Sequence, residues 1–151
     1  MKSFTVVLSL FLLILSASCK QGGDAKAGTS GVTAARTAGD AQADRVEVIS
    51  FYGTHRCVSC IAMEANSQYT VETYFKDDPR VQFKTVNVDD EKNYDIAEKF
   101  EAAGTALFIN VVKDGREKHI DLTDFGFTHY EDKAKFASQL RDKIKAELAQ
   151  L

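Results

Sequence analysis

The chain has 151 residues, 44% of them apolar and 27% charged, which fits a single solvated globular domain. A net charge of −3, with no run of lysines or arginines, argues against a nucleic-acid groove or a polybasic membrane patch. One proline and no tryptophan exclude proline-rich and collagen-like roles, and three cysteines suffice for one redox or metal site but not for a disulfide scaffold.

Residues 1–18 have the layout of a secretory signal peptide. Lys2 stands near the start, an apolar run extends from Phe4 to Leu15, and the small residues Ser16, Ala17 and Ser18 close the segment. The run is short of the roughly 20 residues that cross a bilayer as a helix. Cys19 follows and resembles the lipidated cysteine of a bacterial lipobox, although Ser16 stands where such a motif usually carries leucine. A free exposed thiol in an oxidising compartment would invite mixed disulfides, so lipidation of Cys19 is the expectation. Ordinary cleavage at the same bond is the alternative. Residues 20–44 are mainly Gly, Ala, Thr, Ser, Gln and Asp, with Val32 the one large apolar side chain. They cannot bury enough surface to offset their ordering entropy, so a flexible tether is predicted. The expected product is a cell-envelope lipoprotein facing the periplasm, with a soluble periplasmic or secreted protein as the alternative.

A folded domain is predicted over residues 45–151. Val46, Val48 and Ile49 lead into Ser50-Phe51-Tyr52, the β-branched and aromatic composition of a buried strand. Gly53-Thr54-His55-Arg56 breaks it. A helix is predicted from Cys57 through Ile61, Ala65, Tyr69 and Glu72 to about Lys76, ended by Asp77-Asp78-Pro79. Residues 81–88 alternate as a second strand. Asp89 and Asp90 place acid at the start of the next helix, where it favours the positive end of the dipole. Ile96, Ala97, Phe100 and Ala103 form the stripe of that helix, and Gly104 stops it. Residues 107–112 read as a third strand, and Lys113-Asp114-Gly115 as a hairpin turn into a fourth over residues 116–122. Thr128 with Glu131 suggests a capping box before a last helix whose Phe136, Leu140, Ile144 and Leu148 recur every four residues.

The predicted order is β-α-β-α-β-β-α. Two helical crossovers imply parallel strands, and the hairpin adds an antiparallel pair to the same sheet. The apolar stripe of the last helix is needed to cover that sheet, so a monomer is expected.

Cys57-Val58-Ser59-Cys60 falls at the first strand-to-helix junction. A helix N-terminus stabilises thiolate over thiol through its dipole and its unpaired N–H groups. Arg56 is adjacent, and His55 adds positive charge when protonated. Cys57 is therefore expected to attack and Cys60, one turn later, to resolve the mixed disulfide. Two other readings stay open. His55, Cys57 and Cys60 could hold a soft cation or a trivalent metalloid. An inert structural bridge is the third reading, although so small a loop constrains the unfolded chain little. Four-ligand structural zinc would need a second cysteine pair, which the chain lacks. His119 and His129 are assigned no role, and no cofactor is expected.

The stretch from about Val46 to Leu148 resembles the thioredoxin-like superfamily. The match lies in Val-Ile-Ser-Phe-Tyr, Arg-Cys-Val-Ser-Cys, Thr-Val-Asn-Val-Asp and Val-Val-Lys-Asp-Gly. More narrowly, residues 51–60 resemble a small exported group associated with bacterial arsenic-resistance operons and named as subunits of a nitrophenyl compound nitroreductase. The resemblance implies a dithiol; no substrate is carried over. It also marks three departures. Arg56 replaces the aromatic residue usual before the first cysteine. Ser50 and Thr85 stand where thioredoxins have a buried aspartate and its nearby lysine, with Glu64 as a candidate replacement for the proton acceptor. Thr105-Ala106-Leu107 lacks the proline of the usual cis bond, so a trans peptide is predicted there. The implied function is a membrane-tethered thiol–disulfide oxidoreductase acting on a disulfide-containing or dithiol protein. Metalloid binding and an accessory subunit of an envelope reductase are the alternatives.

Overall fold

The computed structural model describes residues 43–151. The predicted signal segment, Cys19 and the tether up to residue 42 lie outside the described residues. Strands β1 (Arg45–Tyr52), β2 (Val81–Asn87), β3 (Ala106–Lys113) and β4 (Arg116–Asp121) form one sheet in the order β2-β1-β3-β4. Helix α1 (Val58–Tyr74) joins β1 to β2. A 3-10 turn (Glu91–Asn93) and helix α2 (Tyr94–Lys99) lie between β2 and β3, and α3 (Thr123–His129) and α4 (Lys133–Leu148) follow β4. This mixed α/β sheet flanked by helices is the thioredoxin-like fold expected from the element order.

One topological expectation fails. β1 and β2 are parallel, but β3 runs antiparallel to β1 despite the helix before it. The pairing explains why. Tyr52 aligns with Asn87 at the end of β2, and Phe51 aligns with Ala106 at the start of β3. The segment containing α2 therefore leaves and rejoins the sheet at the same end, and no return crossover is made. The Asp-Gly hairpin forms as predicted: Asp114 and Gly115 both take positive φ, 51° and 71°, as a tight turn between twisted strands requires.

β1 is buried from Arg45 through Phe51, as befits a strand with neighbours on both sides and a layer on each face. Val46 and Val48 pack with Leu107 and Ile109 against Met63 of α1 and Phe136, Leu140 and Ile144 of α4. On the opposite face Ile49 and Phe51 meet Phe108 and Phe100, with ring centroids of Phe51, Phe100 and Phe108 5.3 to 5.8 Å apart. α1 presents its Cys60, Met63, Asn66, Ser67, Thr70 and Val71 side to the interior, so Ile61, Ala65, Tyr69 and Glu72 lie outside. Its buried polar groups are satisfied by backbone carbonyls: Ser67 donates to that of Met63 and Thr70 to that of Asn66 within the helix, and Asn66 to that of Tyr130 after α3.

The region after β4 differs from expectation. Thr128 lies inside the unpredicted helix α3, and Glu131 accepts from the Tyr130 hydroxyl, so no capping box forms there. Asp132 caps α4 instead, its carboxylate accepting from the Lys135 N–H at 2.9 Å. α3 approaches so closely that a Cβ on Gly126 would collide with the Met63 sulfur. Glycine is the residue that fits.

Glu47 is a carboxylate only 3% exposed in the middle of β1. It accepts from Lys84 of β2 at 2.6 Å, from Asn110 of β3 at 2.9 Å and from Arg45 at 2.6 Å. Burial pushes its carboxyl up, but the bonds from Lys84, Asn110 and Arg45 outweigh this and hold it below its ordinary value of 4.5. A lowered folded-state pKa contributes stability above the ordinary glutamate range, and that contribution is lost as pH falls through the folded value. Glu47→Gln is therefore expected to be less stable than wild type at neutral pH, with the gap closing progressively below about pH 4.5. Denaturant unfolding over a pH series checks this, and a gap independent of pH would contradict it.

Candidate active site

β1 ends at Tyr52, and residues 53–57 carry the chain from the sheet to the first turn of α1. Cys57 has extended backbone angles and is the N-cap residue, so the predicted helix begins one position later, at Val58. Its sulfur accepts from the Cys60 N–H at 3.2 Å, a capping role usually filled by an oxygen. The Ser59 hydroxyl lies 3.2 Å from the same sulfur. Cys57 and Cys60 form a disulfide with Cα atoms 5.1 Å apart.

The two cysteines differ sharply in access. Cys57 is exposed, and Cys60 is 7% exposed on the inner side of α1. Val58, 83% exposed, and Ile61, 49% exposed, place apolar side chains on the open surface of the same first turns. A reagent or partner thiol therefore meets the Cys57 sulfur first. The donors already aimed at that sulfur, an N–H and a hydroxyl, suit the thiolate that reduction would leave there.

Arg56 and His55 are separated by the structure. The Arg56 guanidinium lies over the Tyr52 ring, 4.6 Å from its centroid, and pairs with Glu64 of α1, Nη2 to Oε2 at 2.9 Å. His55 is exposed in the connecting loop. Asp89 has its carboxyl held below the ordinary range chiefly by the Thr54 backbone N–H, then by the Thr54 side chain, with His55 a smaller contributor. Asp89 was expected to serve the next helix start. Asp90 fills that role, capping the 3-10 turn, while Asp89 reaches back 35 residues to accept the Thr54 N–H at 2.6 Å. Asp89 thus pins the loop that delivers Cys57, and nothing in its local sequence signals that partner. Tyr52 is the second such residue, read from the sequence only as the end of a strand.

Ser50 is buried, and its hydroxyl has no hydrogen-bond partner. It pairs in register with Thr85 and Leu107, so no charged side chain stands at this point of the three strands. Glu64, the candidate replacement, is engaged by Arg56. The peptide bonds at Thr105-Ala106-Leu107 are trans, and the Leu107 N–H donates to the Thr123 hydroxyl at 3.2 Å. The turn into β3 is thereby tied to the start of α3. His119 stacks on Phe100 at 3.9 Å and contacts Glu117, and His129 meets the edge of Phe125. Among the described residues no three His, Cys, Asp or Glu side chains converge on a point that could hold a metal ion. In the disulfide, moreover, neither sulfur is available as a thiolate ligand.

No family model matches the sequence, and no curated protein sequence matches it. Among solved structures, a thioredoxin from Thermus thermophilus is similar at 20% identity and a TM-score of 0.44, over 64% of this chain and 73% of that one. A malarial protein is similar at 19% identity and a TM-score of 0.38, over 59% of this chain and 96% of that one.

The tie between Asp89 and the loop has a direct readout. Asp89→Ala is expected to speed hydrogen exchange at the Thr54 amide by about tenfold or more, with exchange in β1 unchanged. Unaltered protection of Thr54 would mean that the loop is held in place by other contacts.

Proposed function

We propose that the protein is a thiol–disulfide oxidoreductase of the cell envelope. The observation that carries the reading is the Cys57–Cys60 disulfide at the N-terminus of α1, with its first sulfur exposed and its second buried. In the reduced protein the Cys57 thiolate attacks one sulfur of a partner disulfide. A bond forms between Cys57 and that sulfur, the partner's S–S bond breaks, and the released partner thiolate takes up a proton. Cys60 then loses its proton and attacks the Cys57 sulfur, forming the intramolecular disulfide and releasing the second partner thiol. Counting the proton that Cys57 gives up in forming its thiolate, the net change moves two electrons and two protons from the protein dithiol to the partner. A dithiol donor reverses the sequence to regenerate the reduced form.

The exposed apolar Val58 beside Cys57 supports a protein partner, since it offers contact surface next to the reacting sulfur. Signal-like residues 1–18 and the lipobox-like Cys19 support export and lipid anchoring at the membrane, facing the periplasm, as does the likeness of residues 51–60 to the exported group. No helix among the described residues is long and apolar enough to cross a membrane. No cofactor is needed in this account, because the two sulfurs themselves carry the electrons. A monomer is the reading because α4 packs its apolar stripe against the sheet.

Variants of the two cysteines test the assignment of roles. Cys60→Ser is expected to accumulate a mixed disulfide with a model disulfide substrate, visible as a mass increase reversed by reductant. Cys57→Ser is expected to lose exchange by at least about 100-fold. Undiminished exchange in Cys57→Ser, or equal trapping by either variant, would contradict the assignment.

A further inference from the structure

We propose that Glu64 is a positioning residue of the disulfide site, engaging the Arg56 guanidinium so that its charge does not stabilise the Cys57 thiolate. The inference rests on the redox reading of Cys57 and Cys60. Arg56 directly precedes the attacking cysteine, and an unpaired cation beside a thiolate would favour the charged form strongly. The structure does not leave it unpaired. Its Nη1 donates to Glu64 Oε1 at 3.3 Å, its Nη2 lies 2.9 Å from Oε2, and the guanidinium plane is backed by the Tyr52 ring. Both side chains of the pair are largely buried, 25% and 19% exposed, which limits screening by solvent.

The pair is close but imperfectly hydrogen-bonded. Arg56 Nε and Nη2 are buried without a hydrogen-bond acceptor, the Nη2 contact with Glu64 being near enough for charge pairing yet off-line for a bond. The carboxylate and the Tyr52 ring are therefore what fix the guanidinium, and its spare donors would follow any stronger acceptor. Glu64 is well placed to hold it, since it follows Cys60 by four positions and shares that side of α1. In this arrangement the Cys57 sulfur has the Cys60 N–H and the Ser59 hydroxyl as its partners, while Arg56 is engaged by Glu64 and the Tyr52 ring. Glu64 then serves as a brake on thiolate formation. The role differs from that of a proton acceptor for Cys60, which would affect the resolving step and not the Cys57 equilibrium.

The experiment is a double-mutant cycle on the full chain with Glu64→Gln, Arg56→Met and the double variant. Each is read by the thiolate titration of Cys57 and by the exchange equilibrium with glutathione. Glutamine keeps the shape of the side chain but holds a guanidinium more weakly than a carboxylate does. Glu64→Gln is expected to lower the Cys57 pKa and to shift the equilibrium toward the reduced protein by about tenfold. The same substitution in the Arg56→Met background is expected to have little effect, because there is no guanidinium to release. Equal shifts in both backgrounds would show that Glu64 acts through its own field and would overturn the proposal, as would no shift in either. Failure of the wild-type pair to exchange reversibly would instead overturn the redox reading beneath it.

Discussion

β1 is the strand on which the site depends, and Glu47 is the interaction that holds its register. The carboxylate sits between hydrogen-bond donors on both neighbouring strands, Lys84 of β2 and Asn110 of β3. Slipping β1 by one residue would turn Glu47 toward Met63 and Leu107 and carry its charge into an apolar layer. A buried ion pair of this kind adds little net stability over a well-packed apolar side chain. What it supplies here is a unique alignment. With β1 fixed, Tyr52 emerges at one defined place, and five residues later the chain reaches the N-cap of α1.

That geometry converts an ordinary helix start into a chemical one. The backbone N–H that a capping oxygen would normally satisfy points at sulfur, so the donor that stabilises the fold also favours the thiolate. Asp89, after β2, and Tyr52, at the end of β1, complete the support, one tethering Thr54 and the other backing Arg56. Ser50 of β1 is buried and neutral, and the ion pair that flanks the disulfide is the partly buried Arg56–Glu64.

Much of this was legible from local pattern. The β-branched run before Gly53, the Asp-Gly turn and the spaced cysteines are short-range signals, and each of them corresponds to an element or bond in the structure. Local pattern failed where a distant partner decides. The direction of β3 depends on which strand it lies beside, and the role of Asp89 depends on an N–H 35 residues earlier. α3 carries a glycine mid-helix, which reads as a breaker until Met63 is seen against it. Thr128 and Glu131 had the spacing of a cap, but the helix start belongs to Asp132, whose carboxylate reaches the free N–H groups. The partners that make Glu47 a buried acid lie on two other strands, so nothing local in the sequence marks it.

The central claim is that Cys57 and Cys60 are a working redox couple, and their midpoint potential in the full chain tests it most directly. Equilibration against glutathione buffers, with thiol alkylation and mass detection, reports the fraction oxidised. The account predicts a reversible two-electron transition between about −280 and −120 mV, the span covered by exchanging dithiols from thioredoxin to strong oxidants. A disulfide that stays oxidised well below that span would contradict it and assign the bridge a structural role.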